Sequence, residues 1–287
     1  MQKRKIWENF LQWVLPCVLL VIALVLSIYD FNNKMEIAIQ TVVDDQAEQI
    51  GLYYAAGVED KLKALGNITD AVASIMAARL DRGEAFLNEK LDTLMKASDA
   101  YMVVYCATNG TGFLNDRRQI DMTELNYYDS ILGETPHYLF TRSDGINGQM
   151  AFIYVCPITN SGNVNGYLLS YMEPAEMSDF FENSVYGDKA FFSLVDRNGT
   201  IMACYGATQG TKILQNDFWN SLKGVAESLG SWTLFDRQQQ KGDNGILHVN
   251  ENGVGKILCH FPIADTAWNL VVGIDESYLS GIQQSFR

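Results

Sequence analysis

Two adjacent tyrosines, Tyr127 and Tyr128, have the side chains best suited to hold a small molecule in this sequence. Each ring offers a flat face for stacking or for contact with a cation, and each hydroxyl can orient a polar group. Tyr138, Asp144 and Tyr154 lie on the segments that follow and are expected to face the same cavity. Tyrosines on strands more often pack in a core, so a purely structural role is the alternative for these rings.

Sequence patterns for catalysis are missing from the chain. It contains no GxSxG nucleophile elbow, no HExxH zinc-protease motif, no P-loop and no Rossmann glycine pattern. The histidines His137, His248 and His260 are scattered singly, so histidine-based or metal-based catalysis has little to work with. We therefore expect no enzyme activity, no cofactor and no metal site, with a membrane-anchored enzyme as the competing class.

The cysteines do not have the spacing of a metal site. Cys17 lies in a long apolar run, and Cys106, Cys156, Cys204 and Cys259 each lie in an apolar, strand-like stretch without a CxxC pair. Four such residues could form disulfides in an oxidising compartment. Free cysteine is an ordinary small buried residue in such surroundings, so we expect buried thiols.

The apolar run Phe10–Tyr29 predicts where the rest of the chain is located. It contains no charged residue, and Gln12 and Ser27 are its polar interruptions. About 20 helical residues cross the roughly 30 Å hydrocarbon core of a bilayer. Basic residues precede the run and Asp30 follows it, which keeps the N-terminus cytoplasmic and places the residues after Asp30 outside. A cleaved signal peptide has a shorter apolar core and a small-residue cleavage site, so we expect a retained single-pass anchor in contact with membrane lipid.

The charge of the external region excludes some partners. The full chain carries 21 Lys and Arg and 34 Asp and Glu, a net charge of −13. Its first 29 residues hold three of the basic residues and one Glu, so the remainder is near −15. Nucleic acid and anionic headgroups are therefore poor partners for that region.

Helical periodicity continues beyond the apolar run. Apolar residues recur at steps of three and four between residues 35 and 75, which is the spacing of a helix with one buried stripe. Gly66-Asn67 predicts a break in this helix. A second helix is then expected at 68–80 and a third at 84–97.

After residue 100 the period becomes that of strands, and one order of elements occurs twice. Hairpin turns are predicted at Asn109-Gly110-Thr111 and again at Asn198-Gly199-Thr200. The strand ends Cys156-Pro157-Ile158 and Phe261-Pro262-Ile263 match in the same way. The expected strands are 101–107, 112–115, 149–158, 165–171, 189–195, 200–205, 231–236, 256–263 and 269–274, with helices at 127–132, 173–185, 218–229 and 276–286. The predicted fold class is α+β, with a transmembrane helix, a long helix and two tandem PAS-like units, each with an antiparallel sheet of about five strands.

Three local patterns carry a resemblance to a known family. They are the acidic turn and aromatic pair in Ile120–Tyr128, the step Leu132-Gly133-Glu134-Thr135, and the strand Phe152–Ile158 that ends in Pro-Ile. With the membrane helix and the tandem units, they make residues 33–284 resemble a double Cache (dCache) sensor domain, an extracytoplasmic ligand-binding region of bacterial receptors. The resemblance implies a small-molecule ligand, such as an amino acid, amine, purine or carboxylate, and a homodimer along the long helix.

The resemblance also implies a division of the chain. Residues 1–9 would form a cytoplasmic stub, 10–31 the transmembrane helix and 32–83 a helical stalk region. Residues 84–172 would form a membrane-distal unit that binds the ligand, and residues 173–287 a membrane-proximal unit.

One departure from the family pattern concerns the ligand. Amino-acid-binding members place an Arg two residues before the aromatic pair, and this sequence has Leu125 there. A leucine cannot make a bidentate contact with a carboxylate, although Arg117, Arg118 or Arg142 could substitute for the missing Arg. The ligand-binding residues implied by the resemblance and by side-chain chemistry are Tyr127, Tyr128, Tyr138, Asp144, Tyr154 and Arg117.

The function implied by these expectations is small-molecule sensing by a membrane signal-transduction receptor. The output domain is expected beyond Arg287, with a diguanylate cyclase first and a histidine kinase or chemotaxis receptor as alternatives. An adhesive or structural surface protein is the remaining alternative, favoured if the chain has no concave pocket.

Overall fold

The computed structural model describes residues 2–79, 82–182, 189–206, 213–214 and 217–278. Helix α1 (Gln2–Ala77) is a single helix of 76 residues, about 114 Å long at 1.5 Å per residue. The predicted break at Gly66-Asn67 is wrong, because α1 continues through both residues. Gly66 is needed for packing instead: a Cβ there would lie 2.8 Å from the Tyr138 hydroxyl and 3.2 Å from the Tyr154 ring.

A six-stranded antiparallel sheet follows helix α2. This helix spans Glu84–Ala97, as predicted. The first sheet consists of β1 (Met102–Ala107), β2 (Thr111–Leu114), β3 (Gln119–Asp121), β4 (His137–Thr141), β5 (Ala151–Asn160) and β6 (Asn163–Met172). Its strand order is β3-β2-β1-β6-β5-β4. A 3₁₀ turn (Met122–Glu124) and the short helix α3 (Tyr128–Ile131) connect β3 to β4.

A second antiparallel sheet repeats this arrangement. It consists of β7 (Ala190–Asp196), β8 (Ile201–Gly206), β9 (Gly245–Glu251), β10 (Val254–Pro262) and β11 (Trp268–Asp275), in the order β8-β7-β11-β10-β9. Helix α4 (Ser178–Glu182) precedes it, and α5 (Phe218–Lys223) and α6 (Leu229–Lys241) lie between β8 and β9.

The two sheets have the same strand order once the additional edge strand β3 is set aside. In each, a hairpin opens the sheet at an Asn-Gly turn, and the two glycines have φ values of 85° and 88° at Gly110 and Gly199. This left-handed region is readily accessible to glycine alone. The prediction of an α+β chain with two tandem antiparallel units is therefore confirmed.

Several local predictions are wrong. Residues Ser231–Asp236 were expected as a strand but lie in α6, and strands β3, β4 and β9 were not predicted. The predicted helix 218–229 ends earlier, at Lys223. The helix predicted at 173–185 begins as a 3₁₀ turn at Pro174 and continues as α4, and its last three residues lie outside the described residues. The helix predicted at 276–286 is helical from 276 to 278, where the description ends.

Helix α1 packs against one face of both sheets. Leu62 and Leu65 of α1 are buried against the first sheet, and Ala47 and Tyr54 are buried against the second, within one continuous apolar core. The Tyr54 ring lies 4.4 Å from the ring of Phe192. The other face of the first sheet is covered by α3 and neighbouring loops, and the other face of the second sheet by α5 and α6.

All five cysteines are free thiols in this structure. Cys106, Cys156 and Cys259 are buried, as predicted, and no disulfide joins them. Cys204 is exposed, so the prediction of a buried thiol is wrong at this position. Cys204 lies in the edge strand β8, and its Sγ is 3.3 Å from the Ser193 hydroxyl of β7.

Candidate functional site

The candidate site lies on the face of the first sheet that points away from α1. Successive side chains alternate between the faces of a strand, so Tyr167, Leu169 and Tyr171 of β6 point to this side. The segment from the 3₁₀ turn to α3 crosses this face, and its Met122, Tyr127 and Ile131 are buried against the sheet.

Tyr127 is held by polar contacts within this face. Its side chain is 7% exposed, and its hydroxyl donates to the backbone oxygen of Asp144 over 2.7 Å. The same hydroxyl lies 3.2 Å from the hydroxyl of the fully buried Tyr171. Burial raises the pKa of Tyr127 to about 12, so its phenol stays protonated and can donate.

Asp144 is the centre of this network. Its Oδ1 accepts from the backbone N–H groups of Ile146, Asn147 and Gly148 over 2.9, 2.7 and 2.7 Å. Its Oδ2 accepts from the Tyr101 hydroxyl over 2.8 Å. Burial alone would raise the pKa of Asp144, but these hydrogen bonds outweigh it and lower the pKa. The carboxylate therefore stays charged, and it fixes the loop between β4 and β5.

An open cleft lies outside this network. It has a volume of about 520 Å³, which is within the range of small-molecule sites. Leu125 forms part of its wall and packs against Gly145, where a Cβ would lie 2.6 Å from the leucine Cδ2. The cleft is lined by Arg118, Ile120, Asp121, Glu124, Leu125, Asn126, Ser143, Gly145 and Ile146.

The charges around the cleft favour a cation. Asp121 accepts hydrogen bonds from the Thr123 hydroxyl and backbone N–H, which lower its pKa and keep it ionised. Glu124 adds a second carboxylate to the lining. The guanidinium of Arg118 is 2.6 Å from the carboxylate of Asp116, so its charge is already partly balanced.

Tyr128 begins α3 beside the hairpin turn of β1 and β2. It is half-buried, and burial raises its pKa. Its hydroxyl would lie 3.4 Å from a Cβ added at Gly110. Unlike Tyr127, it does not lie in the Asp144 network, since its hydroxyl points towards the turn.

The structure does not bring the remaining predicted residues to the same place. Tyr138 and Tyr154 lie on the α1 side of the first sheet, where Tyr138 donates to the backbone oxygen of Leu62 over 2.8 Å. Tyr154 donates to the carboxylate of Asp70 over 2.8 Å. The prediction that all these side chains face one cavity is therefore wrong, because Tyr138 and Tyr154 lie on the opposite face of the sheet from Tyr127.

Arg117 lies on the surface, between β2 and β3. Its guanidinium is 3.1 Å from the Asp92 carboxylate of α2, and both side chains are largely exposed. Its backbone has a φ of 73°, in the left-handed region. It does not line the cleft described above.

Sequence reasoning missed Tyr101 and Tyr171, which complete the network around Tyr127 and Asp144. The alternation along β6 was a usable signal for Tyr171, since Tyr167, Leu169 and Tyr171 share one face. Tyr101 immediately precedes β1, and its backbone N–H donates to the Tyr171 oxygen over 2.9 Å. That pairing could not be read from the local sequence.

Comparison with known proteins identifies the fold. No protein-family model and no curated protein sequence matches this chain. Among solved structures, the ligand-binding domain of the Pseudomonas fluorescens chemoreceptor CtaA in complex with L-isoleucine is similar, with a TM-score of 0.68 and 12% identity over 85% of this chain and 97% of that one. The corresponding domain of the Campylobacter jejuni chemoreceptor Tlp3 in complex with L-norvaline has a TM-score of 0.63 and 14% identity, over 84% of this chain and 93% of that one.

A third similar structure comes from another kind of receptor. It is an extracellular domain assigned to a histidine kinase, rpHK1S-Z16, with a TM-score of 0.61 and 16% identity over 81% of this chain and 95% of that one. At these identities the similarity establishes the fold, which this chain shares with these ligand-binding and extracellular receptor domains.

Proposed function

We propose that this chain is the extracytoplasmic small-molecule-sensing region of a bacterial membrane receptor. The observation that carries the proposal is that two antiparallel sheets of the same strand order pack against one unbroken helix. The N-terminal part of that helix is the one stretch, among the residues that the structure describes, long and apolar enough to cross a membrane. Large apolar side chains there are exposed, as at Leu20 and Leu26, which fits contact with lipid.

We assign the ligand site to the cleft beside the Asp144 network. A concave site of this size, with a few polar groups and buried tyrosines behind it, fits a small molecule. The similar chemoreceptor domains are in complex with amino acids. Here Leu125 offers no charge for a carboxylate, whereas Asp121 and Glu124 offer two carboxylates to a cation. We therefore propose a ligand with an amino group that contacts Asp121 and Glu124.

A thermal-unfolding screen of the full chain in detergent micelles tests this assignment. The panel contains amines, amino acids, purines and organic acids, and an amine-bearing compound is expected to stabilise the chain. At 100 times its dissociation constant, a ligand stabilises by about 2.7 kcal/mol, which raises Tm by about 5–10 °C for a domain of this size.

Matched variants separate the cleft from the rest of the surface. Glu124→Gln and Asp121→Asn, which change the two carboxylates of the lining, are expected to reduce the ligand-induced shift. Asp129→Asn removes an equal charge from α3, outside the cleft lining, and should leave the shift unchanged. Stabilisation by organic acids alone would contradict the amine assignment, and no stabilisation by any compound would favour an adhesive or structural protein.

The signalling partner of this region is a separate part of the proposal. We propose that a diguanylate cyclase follows these residues in the complete receptor, with a histidine kinase or a chemotaxis transducer as alternatives. The similar structures come from both of the alternative types, so they do not select one output. Reading the gene downstream of the Arg287 codon tests this directly. Sedimentation of the chain in micelles tests the expected homodimer.

A further inference from the structure

We propose that a pocket at the far end of α1 binds a small, neutral, apolar molecule, at a second site separate from the cleft. The pocket lies where the end of α1, the start of α2 and the β1–β2 hairpin meet, on the α1 side of the first sheet. Its volume is about 310 Å³, at the lower end of the range for small-molecule sites. We call it the α1–α2 pocket, and its walls are Met76, Phe86, Leu87, Tyr105 and Phe113.

The walls are apolar and are held in place by packing. Met76, Leu87 and Tyr105 are buried, and Phe86 and Phe113 are half-buried against the same core. The centroids of the Tyr105 and Phe113 rings are 6.1 Å apart. Gly83 lies at the exposed rim, where a Cβ would meet no atom within 4 Å, so the pocket is open to the solvent on that side.

The walls leave a polar ligand without partners. Tyr105 is the one wall residue with an N–H or O–H group in its side chain, and its hydroxyl donates to the backbone oxygen of Asn165 over 3.0 Å. Burial raises the pKa of Tyr105, so the phenol stays neutral. A polar atom brought into the pocket would lose its hydrogen bonds to water and find at most the Tyr105 oxygen, which costs binding free energy. The walls therefore favour a hydrocarbon-like ligand.

The charges around the pocket favour a neutral occupant. Glu84 lies at the rim, and the full chain carries a net charge of −13, so an apolar acid would be repelled. The Lys90 ammonium lies 5.3 Å from the centroid of the Phe86 ring, but it is paired with Glu89 over 2.7 Å. Glu84 is exposed, so its carboxylate stays hydrated and does not compensate a cation inside the pocket.

The second unit fills the corresponding place with its own aromatic ring. There α1, α4 and the β7–β8 hairpin meet, as α1, α2 and the β1–β2 hairpin do in the first unit. The centroid of the Phe181 ring of α4 lies 4.5 Å from that of Tyr205 in β8 and 4.9 Å from that of Phe192 in β7. In the first unit α2 places the smaller Leu87 on this side. A ring supplied by a ligand therefore fits the place that Phe181 occupies in the second unit.

The α1–α2 pocket is independent of the cleft. The two lie on opposite faces of the first sheet and share no lining residue. The proposal therefore holds or fails whether or not the cleft binds an amine. A ligand in the pocket would contact α1, α2 and the hairpin together, so it is expected to stabilise the packing of the far end of α1 on the sheet.

Methyl NMR of the full chain in detergent micelles tests the pocket with indane, a bicyclic hydrocarbon. With isotope-labelled methionine methyl groups, the Met76 signal reports on the wall of the pocket, and the Met202 signal of β8 reports on the second unit. Indane is expected to shift the Met76 signal in a saturable way and to leave the Met202 signal unchanged. The free concentration of indane is obtained from its partition into micelles without protein. Benzimidazole has the same shape with two ring nitrogens and should bind at least about tenfold more weakly, because its nitrogens find no partners.

Two variants fill the pocket with a larger side chain. Phe113→Trp does so from β2 and Leu87→Phe from α2, so that one remains informative if the other does not fold. A Met202 signal at its parent position shows that the chain is folded. Each variant is expected to weaken the binding of indane at least about tenfold. Phe140→Trp makes the same change as Phe113→Trp in another half-buried strand residue, outside the pocket lining, and should leave binding intact.

Three results would overturn the proposal. The first is a Met76 signal that does not respond to indane. The second is a response that does not saturate, or that both filling variants leave unaltered. The third is equal binding of indane and benzimidazole, which would assign a polar ligand to the pocket instead.

Discussion

Removal of the Asp144 carboxylate should destabilise the first sheet more than removal of any exposed carboxylate. The side chain is fully buried and accepts four hydrogen bonds, from three backbone amides and the Tyr101 hydroxyl. Removing one partner of a buried charged network costs about 3–5 kcal/mol. We expect Asp144→Ala to lose this amount, because Tyr101 and part of the loop are left without an acceptor. The corresponding fall in Tm is about 10 °C.

Two variants calibrate this prediction. Asp144→Asn keeps one carbonyl oxygen for the three amides and should lose only about 1–2 kcal/mol. Asp92→Ala breaks an ion pair with Arg117 whose side chains are 41% and 58% exposed. Exposed pairs contribute about 0–1 kcal/mol, so this control should stay close to the parent chain.

The pH dependence provides an independent check on Asp144. Its pKa is lowered in the folded chain, so the stabilisation is present above the unfolded pKa of about 3.9. It is lost as the pH falls through the lowered folded value. Denaturation of the parent chain and Asp144→Ala, followed by near-UV circular dichroism, should show curves that converge at acidic pH. A loss below about 1 kcal/mol at pH 7, or equal losses for the Ala and Asn variants, would refute the reasoning.

Two further predictions concern the second sheet. Burial lowers the pKa of His260 to about 4, and neither of its ring nitrogens has a hydrogen-bond partner. The unfolded chain therefore binds the proton first, and stability should fall by up to about 3 kcal/mol between pH 6.5 and pH 4. His260→Leu should flatten that part of the pH profile in denaturant titrations, and an unchanged profile would contradict the assignment. Gly51→Ala should destabilise by about 1–3 kcal/mol, since its Cβ would overlap the Phe261 ring. Gly230→Ala in α6 has open space and should stabilise by up to about 1 kcal/mol, so destabilisation of equal size by both would argue against the steric reason.

The tandem architecture could be predicted because its signals are local. An Asn-Gly turn has the same backbone requirement wherever it occurs, and Gly110 and Gly199 both meet it with positive φ. Strand β9 also had a readable signal, since Leu247, Val249 and Glu251 alternate with less buried residues. Strand β4 had none, because it is an edge strand and its first four residues, on both faces, are half-buried.

Helix α6 shows how strand propensity misleads. Its Trp-Thr-Leu-Phe segment is typical of strands, yet Trp232, Phe235 and Gln239 are buried at helical spacing. Ser228 caps the first turn, and Gly242 ends the helix in the left-handed region. These caps were present in the sequence and outweigh the propensity of the residues between them.

The candidate site could be predicted only in part, because alternate residues of a strand lie on opposite faces of the sheet. Tyr127 and Asp144 were expected together, and they are in contact. Tyr154 was expected with them, but Ala151, Ile153 and Val155 of β5 occupy the site face, so Tyr154 points the other way. Alternation identifies which residues share a face. It does not identify which face carries the site before the sheet is assembled.

The packing of α1 against both sheets constrains how such a chain can change in evolution. A gene duplication usually yields two copies that can later be lost or exchanged one at a time. Here Tyr54 and Leu62, about two turns apart on one helix, close the cores of different sheets. The core on the α1 side is shared by the two sheets, so loss of one unit would expose an apolar stretch of the helix that the other still needs. We therefore expect neither unit to fold stably without the other.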